Sequence, residues 1–243
     1  MGNAAPGGEK HFFWATRSER VVIHAGYANE TNEYGHGVLG PLRDTKYLSI
    51  HMRPADNSSM TCPKGVALMV GQVFEDVAPL IADVTGDIMP EIIAVQSDIR
   101  QGSRLVIYDL QGIELAATLH IGQRNRWLAP IGAADLDGDG YVEIAYIDRP
   151  HLAKTLTVWR YVDGELVRVT AASGLTNHRI GETDIAGGIR DCGQGPEMIT
   201  ANADWSRIMA TRLVDGALQA RDLGRHDGRD SFAAAMGCER LPQ

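Results

Sequence analysis

The feature that most constrains this chain is self-similarity at a fixed spacing. Ile81-Ala82-Asp83-Val84-Thr85-Gly86-Asp87, followed by Pro90-Glu91-Ile92-Ile93-Ala94, recurs 52 residues later as Ala133-Ala134-Asp135-Leu136-Asp137-Gly138-Asp139, followed by Val142-Glu143-Ile144-Ala145-Tyr146. A third, eroded copy runs from Ile185-Ala186-Gly187-Gly188-Ile189 to Pro196-Glu197-Met198-Ile199, 54 residues beyond the second. Each copy has a second shared half: residues 104–108 lead to Gly112, 156–160 to Gly164 and 208–212 to Gly216, with the glycines 52 apart both times. Asp163-Gly164 and Asp215-Gly216 sit between short alternating runs, the pattern of a tight hairpin. Every repeat therefore reads as four short strands.

Four antiparallel strands in roughly 50 residues predict an all-β fold, a β-propeller of four-stranded blades. The clear repeats span about 73–124, 125–176 and 177–228. Before them, residues 47–52 and 66–70 read as the outer hairpin of an earlier blade, and 21–27 as one of its inner strands. With 243 residues at this spacing, five blades are expected and four are the alternative. The apolar run 232–236 falls where the next inner strand should start. It is expected to complete the N-terminal blade, closing the ring by pairing N- and C-terminal strands. Residues 1–10 read as a flexible segment and 11–243 as one propeller domain.

Composition narrows the function classes. The formal net charge is −8, so an extended phosphate-binding face would oppose the protein's own field and nucleic acid is not an expected partner. No apolar stretch is long enough for a membrane-spanning helix, and residues 1–10 lack the apolar centre of a secretion signal, so an exported form needs a leader absent from this sequence. The three cysteines, Cys62, Cys192 and Cys238, form no metal-ligand framework. Cys192 and Cys238 fall beside inner strands expected to be neighbours, which allows either a disulfide or two small core residues.

Asp135, Asp137 and Asp139 alternate, glycines follow at 138 and 140, and Glu143 stands at the ninth position. Carboxylates at every second residue of a tight loop aim several hard oxygens at one centre, a pattern suited to Ca²⁺, with Tyr141 placed to add a backbone carbonyl. An EF-hand is excluded, because its bidentate Glu belongs at the twelfth position, here Tyr146, and the flanks are strand-like. The earlier copy offers Asp83, Thr85, Asp87 and Glu91, with Met89 in the carbonyl position. It has one carboxylate fewer and is expected to bind more weakly. The third copy keeps only Asp191 and Glu197, and no metal is expected there.

The run Ala133-Ala134-Asp135-Leu136-Asp137-Gly138-Asp139-Gly140-Tyr141-Val142-Glu143-Ile144-Ala145 resembles the FG-GAP or VCBS repeat, the calcium-loop propeller blade of integrin α-chains and of many secreted bacterial proteins. The resemblance covers about residues 73–223 and implies Ca²⁺ in a structural role. The Phe-Gly and Gly-Ala-Pro elements that name the repeat are absent from this chain.

In an up-and-down blade the loop after the second strand and the connection to the next blade lie on the face away from the calcium loops. On that face the register places Arg126, Trp127, Asp148, Arg149, His151, His178, Arg179, Glu182, Asp204 and Trp205, with Tyr34-Gly35-His36-Gly37 near its rim. Arginine offers bidentate donors, tryptophan a stacking face, and histidine beside a carboxylate a proton-transfer pair. The leading expectation is a calcium-stabilised periplasmic or secreted propeller that binds a protein or saccharide ligand through this face. The alternatives are a hydrolase or lyase with His151 or His178 as base, and a purely structural module. No Gly-x-Ser-x-Gly, His-Glu-x-x-His or phosphate-binding loop supports an enzyme.

Overall fold

The computed structural model describes residues 10–15 and 20 as backbone and residues 21–54 and 62–243 in full. All but Lys10 of the segment expected to be flexible lies outside the described residues. Among the described residues the protein is all-β with antiparallel sheets and one short helix, and its chain divides into two compact units, 1–127 with 163–165 and 128–162 with 166–243.

The first unit holds β1 (Lys10–Ala15), β2 (Arg20–Thr31), β3 (Asp44–Pro54), β4 (Lys64–Ala67), β5 (Gln72–Phe74), β6 (Leu80–Ala82), β7 (Glu91–Asp98), β8 (Gly102–Tyr108) and β9 (Glu114–Ala117). They form one sheet in the order β1-β2-β3-β5-β7-β8-β9, with β4 on β3 and β6 on β7. The expected strand 21–27 lies in β2 and its partner 47–52 in β3, paired through Ala25↔Ile50 and Tyr27↔Leu48. In β2 the alternate residues Ile23, Ala25 and Tyr27 are buried, the period of a half-buried strand. In β7 seven consecutive residues are buried, the mark of a strand covered on both faces. Phe74 joins the two halves of the core, stacked on Tyr27 at 5.1 Å and edge-on to Tyr108 at 6.4 Å.

The second unit has two sheets. One is β10 (Leu128–Ala134), β11 (Glu143–Asp148), β12 (Thr155–Val162) and β13 (Glu165–Ser173), paired in that order. The other contains β14 (Leu175–Thr176), β15 (Gly188–Asp191), β16 (Pro196–Asn202), β17 (Arg207–Val214) and β18 (Ala217–Arg225), with β14 and β15 both on β16. The innermost strand of this second sheet is thus interrupted, and residues 177–187 loop out between its two pieces. Asp163-Gly164 and Asp215-Gly216 have positive φ at both residues (49° and 90°, 50° and 74°), as a type I′ hairpin turn requires. Burial falls from β10, almost wholly buried, to β13, mostly exposed. Ile131, Ala145, Leu156, Val158, Met198 and Leu213 form one core between the sheets. Gly132 permits their approach, since a Cβ there would fall 2.9 Å from Ile189 Cδ1.

One expected strand does not form. Residues 232–236 belong to α1 (Arg229–Met236), so this segment cannot supply the closing inner strand. Its three consecutive alanines are strong helix formers, and Phe232 and Ala235, three apart, bury one helix face against Ile199, Ala201, Ile208 and Ala210. The helix is followed by a disulfide between Cys192 and Cys238, Cα atoms 5.8 Å apart. Cys62 is free and exposed.

Candidate functional site

The turn between β10 and β11 brings one carboxylate oxygen each of Asp135, Asp137 and Glu143 within 4.8 Å of one another. The loop aligns them through its own backbone: Asp135 accepts N–H bonds from Gly138 (2.8 Å) and Gly140 (3.0 Å), Asp139 from Tyr141 (3.0 Å), and Glu143 from Leu136 (2.8 Å). Gly138 and Gly140 both have positive φ, which lets the chain wrap inward. Glu143 is fully buried, and burial pushes its carboxyl up, against the Leu136 N–H and the Arg160 guanidinium. Arg160, from β12, also reaches Asp139 (2.8 Å) and Asp137 (3.3 Å), and lies 5.5 Å from the Tyr141 ring centroid. This cation was not foreseen from sequence. Three hard, backbone-aligned carboxylates fit a metal ion as a donor set, and Arg160 occupies the same oxygens as a built-in counter-ion.

The loop before β7 repeats the plan without that cation. Asp83 accepts from Gly86 (2.7 Å) and Ile88 (3.0 Å), Asp87 from Met89 (2.8 Å), and buried Glu91 from Val84 (2.9 Å). The Thr85 hydroxyl lies 3.3 Å from Glu91. Burial first, then the charges of Asp87 and Asp83, push Glu91 up to about 7. Ile88 takes the left-handed conformation (φ 80°) that glycine has at position 140.

The Arg, His and Trp loops fall into separate groups. Trp127 is buried, and its indole donates to the Glu75 carbonyl at 2.7 Å, so it anchors the first unit's core and offers no ring face to a ligand. Arg126, in the same unit, donates to the Asn125 carbonyl. In the second unit Asp148 and Arg149 form a bidentate pair at 2.9 and 2.7 Å. His151 Nε2 meets His178 Nδ1 at 3.0 Å, and His178 Nε2 meets the Glu182 carbonyl at 3.0 Å. A carbonyl only accepts, so His178 carries its proton on Nε2 and, when neutral, accepts from His151. Burial lowers the pKa of His178, keeping it neutral. The Arg179 guanidinium stacks 4.3 Å from the Trp205 ring centroid. Glu182 and Asp184 both bind Arg229 at 2.7 Å. Asp204 is spent on its own loop, accepting from the Ser206 amide and hydroxyl.

A buried network in the first unit escaped the sequence reading apart from Tyr34 and His36. Glu75, 1% exposed, accepts from His36 Nδ1 at 2.5 Å and from the Ser97 hydroxyl at 2.5 Å, and Ser97 meets its cross-strand partner Ser103 at 2.6 Å. Tyr34 accepts the Asn125 N–H. Burial and the nearby Glu75 charge push Asp44 up to about 7. The available signal was an acidic residue directly after the apolar pair Val73-Phe74.

No family model matches this sequence, and no curated protein matches it. Solved structures similar to the chain include the rhamnogalacturonan lyase YesW (14% identity, TM-score 0.43) and a Bacillus licheniformis rhamnogalacturonan lyase (14%, 0.42). The exotype rhamnogalacturonan lyase YesX is also among them (14%, 0.39). Each alignment covers 91% of this chain, which spans only about half of those proteins, 53%, 53% and 51%.

Proposed function

We propose that this chain is a calcium-stabilised, extracytoplasmic β-propeller module of the FG-GAP/VCBS kind that binds a protein or saccharide ligand. The observation that carries the reading is the convergence of Asp135, Asp137 and Glu143 on one centre. When bound, the ion would cross-link the β10–β11 turn and neutralise the buried Glu143; Asp139 and Tyr141 complete the loop around it. The disulfide supports an oxidising compartment. No helix among the described residues is long and apolar enough to cross a membrane.

The ligand surface is assigned to the loops around residues 148–155, 177–187 and 202–207. There a guanidinium-stacked Trp205 and the bidentate Asp148–Arg149 pair offer an aromatic face and fixed polar groups. A hydrolase or lyase acting there is the second reading, favoured by the contact between His151 and His178.

Calorimetric titration of the chelator-stripped protein with Ca²⁺ tests the proposal. Saturable binding that raises the melting temperature, lost in Asp137→Ala, is expected, with about 2.7 kcal/mol of added stability at a hundredfold excess over Kd. A melting curve indifferent to both Ca²⁺ and EDTA would overturn it.

A further inference from the structure

The third repeat uses the same place in the fold for the opposite charge. With the offset of 54, Glu197 stands where the second repeat has Glu143, and Arg190 where it has Leu136. Leu136 is a core residue. Arg190 instead sends a buried guanidinium to Glu197, at 2.8 Å from Nε and 2.5 Å from Nη2, and also donates to the Ala235 carbonyl at the end of α1. Arg221, from β18, reaches both Glu197 oxygens, at 2.9 and 2.8 Å. Burial pushes the Glu197 carboxyl up, but the two guanidinium groups win and hold it below its ordinary range.

Beside this pair opens a cavity of about 800 Å³, bounded by the Cys192–Cys238 disulfide and by the chain that follows it to Gln243. That volume accommodates an organic molecule rather than a bare ion. Three arginines, Arg190, Arg221 and Arg240, and three acids, Glu197, Asp222 and Glu239, line its wall. Glu197 is already matched by Arg190, and Asp222 is paired with Arg207 at 2.6 Å, leaving Glu239 as the unmatched acid. Arg221, 56% exposed, spends one terminal nitrogen on Glu197, so its other donors face the cavity unspent. Arg240 makes no hydrogen bond or ion pair among the described residues. Arg221 and Arg240 therefore bring to this wall guanidinium donors that its carboxylates leave unengaged among the described residues. The fork of arginine matches the paired oxygens of a carboxylate or phosphate.

We propose that this cavity binds a small organic anion, whose carboxylate or phosphate group is held between Arg221 and Arg240. The disulfide keeps the segment carrying Arg240 against the β15–β16 turn, so the site depends on the oxidised protein. It is independent of the calcium loops and of the His/Trp loops.

The test is calorimetric titration of the intact oxidised protein, in calcium-free buffer, with succinate, glucose 6-phosphate, inorganic phosphate and glucose. Saturable one-to-one binding of succinate or glucose 6-phosphate is expected, with none of glucose, and the stronger of the two identifies the anionic group. Arg240→Ala and Arg221→Ala should each weaken binding by about tenfold or more, the scale of a charge-assisted hydrogen bond. Glu239→Gln should strengthen it. Arg240 is exposed, so its variant should melt at the native temperature without ligand. The proposal is overturned if neither organic anion binds, if affinity survives both arginine substitutions, or if inorganic phosphate binds as tightly as the organic anions.

Discussion

Breaking the disulfide offers a quantitative test of how the C-terminal segment is held. Cys192 and Cys238 are 46 residues apart, and the closed loop contains β16, β17, β18 and α1. In the chain-entropy model a cross-link of this length removes about 13.5 cal/mol/K from the unfolded ensemble, or about 4 kcal/mol at 25 °C. For a protein of this size that corresponds to a melting temperature lower by about 8 °C or more. The perturbation is the double variant Cys192→Ser/Cys238→Ser, compared with the native chain by urea and thermal unfolding, with and without reductant. The native protein should lose the same stability on reduction, and the variant should be indifferent to it. Loss should appear first in amide exchange at 229–238, where Arg190 and Ser231 hold the helix to its surroundings. If the double variant melts within about 2 °C of the oxidised native protein, the covalent link is not what secures this segment, and the redox dependence proposed for the neighbouring cavity fails with it.

The remaining expectations concern charge. Arg160→Gln removes a cation that competes for the oxygens of Asp137, Asp139 and Glu143, so Ca²⁺ affinity should rise by roughly fivefold, about 1 kcal/mol, while the metal-free protein becomes less stable; an unchanged or weaker Kd by calorimetry refutes the competition. Asp44 has a raised pKa in the folded state, so its contribution is fully present below the ordinary carboxylate range and is lost as pH rises through about 7. Asp44→Asn should therefore flatten the fall in urea midpoint between pH 5 and pH 8 in EDTA, by at most about 1.4 kcal/mol per pH unit, and a slope identical to that of the native protein would show that Asp44 does not titrate there.

What the sequence determined by itself is local. The alternating strand pattern, the Asp-Gly hairpin turns and the aligned carboxylates of 135–143 all depend on neighbours a few residues away, and the 52-residue period is the recurrence of such local patterns. A turn dipeptide or a period-2 run acts through its own backbone wherever it is placed. The four-stranded sheet 128–173 follows from such signals almost strand for strand. What only tertiary structure decided is the identity of partners. Residues 232–236 are a short apolar run, which periodicity alone cannot assign to strand or helix, and burial of Phe232 and Ala235 on one side selected the helix. Trp127 reads as a surface ring until the Glu75 carbonyl is found 2.7 Å from its indole nitrogen. Arg160, Arg190 and Arg221 are ordinary strand residues in the sequence, yet they pair with Glu143 and Glu197, while Glu91 has no ion-pair partner among the described residues. Electrostatic pairing acts through space over a few ångströms and leaves no periodic trace along the chain, so the places able to hold a cation or an anion became distinguishable only once distant strands were brought side by side.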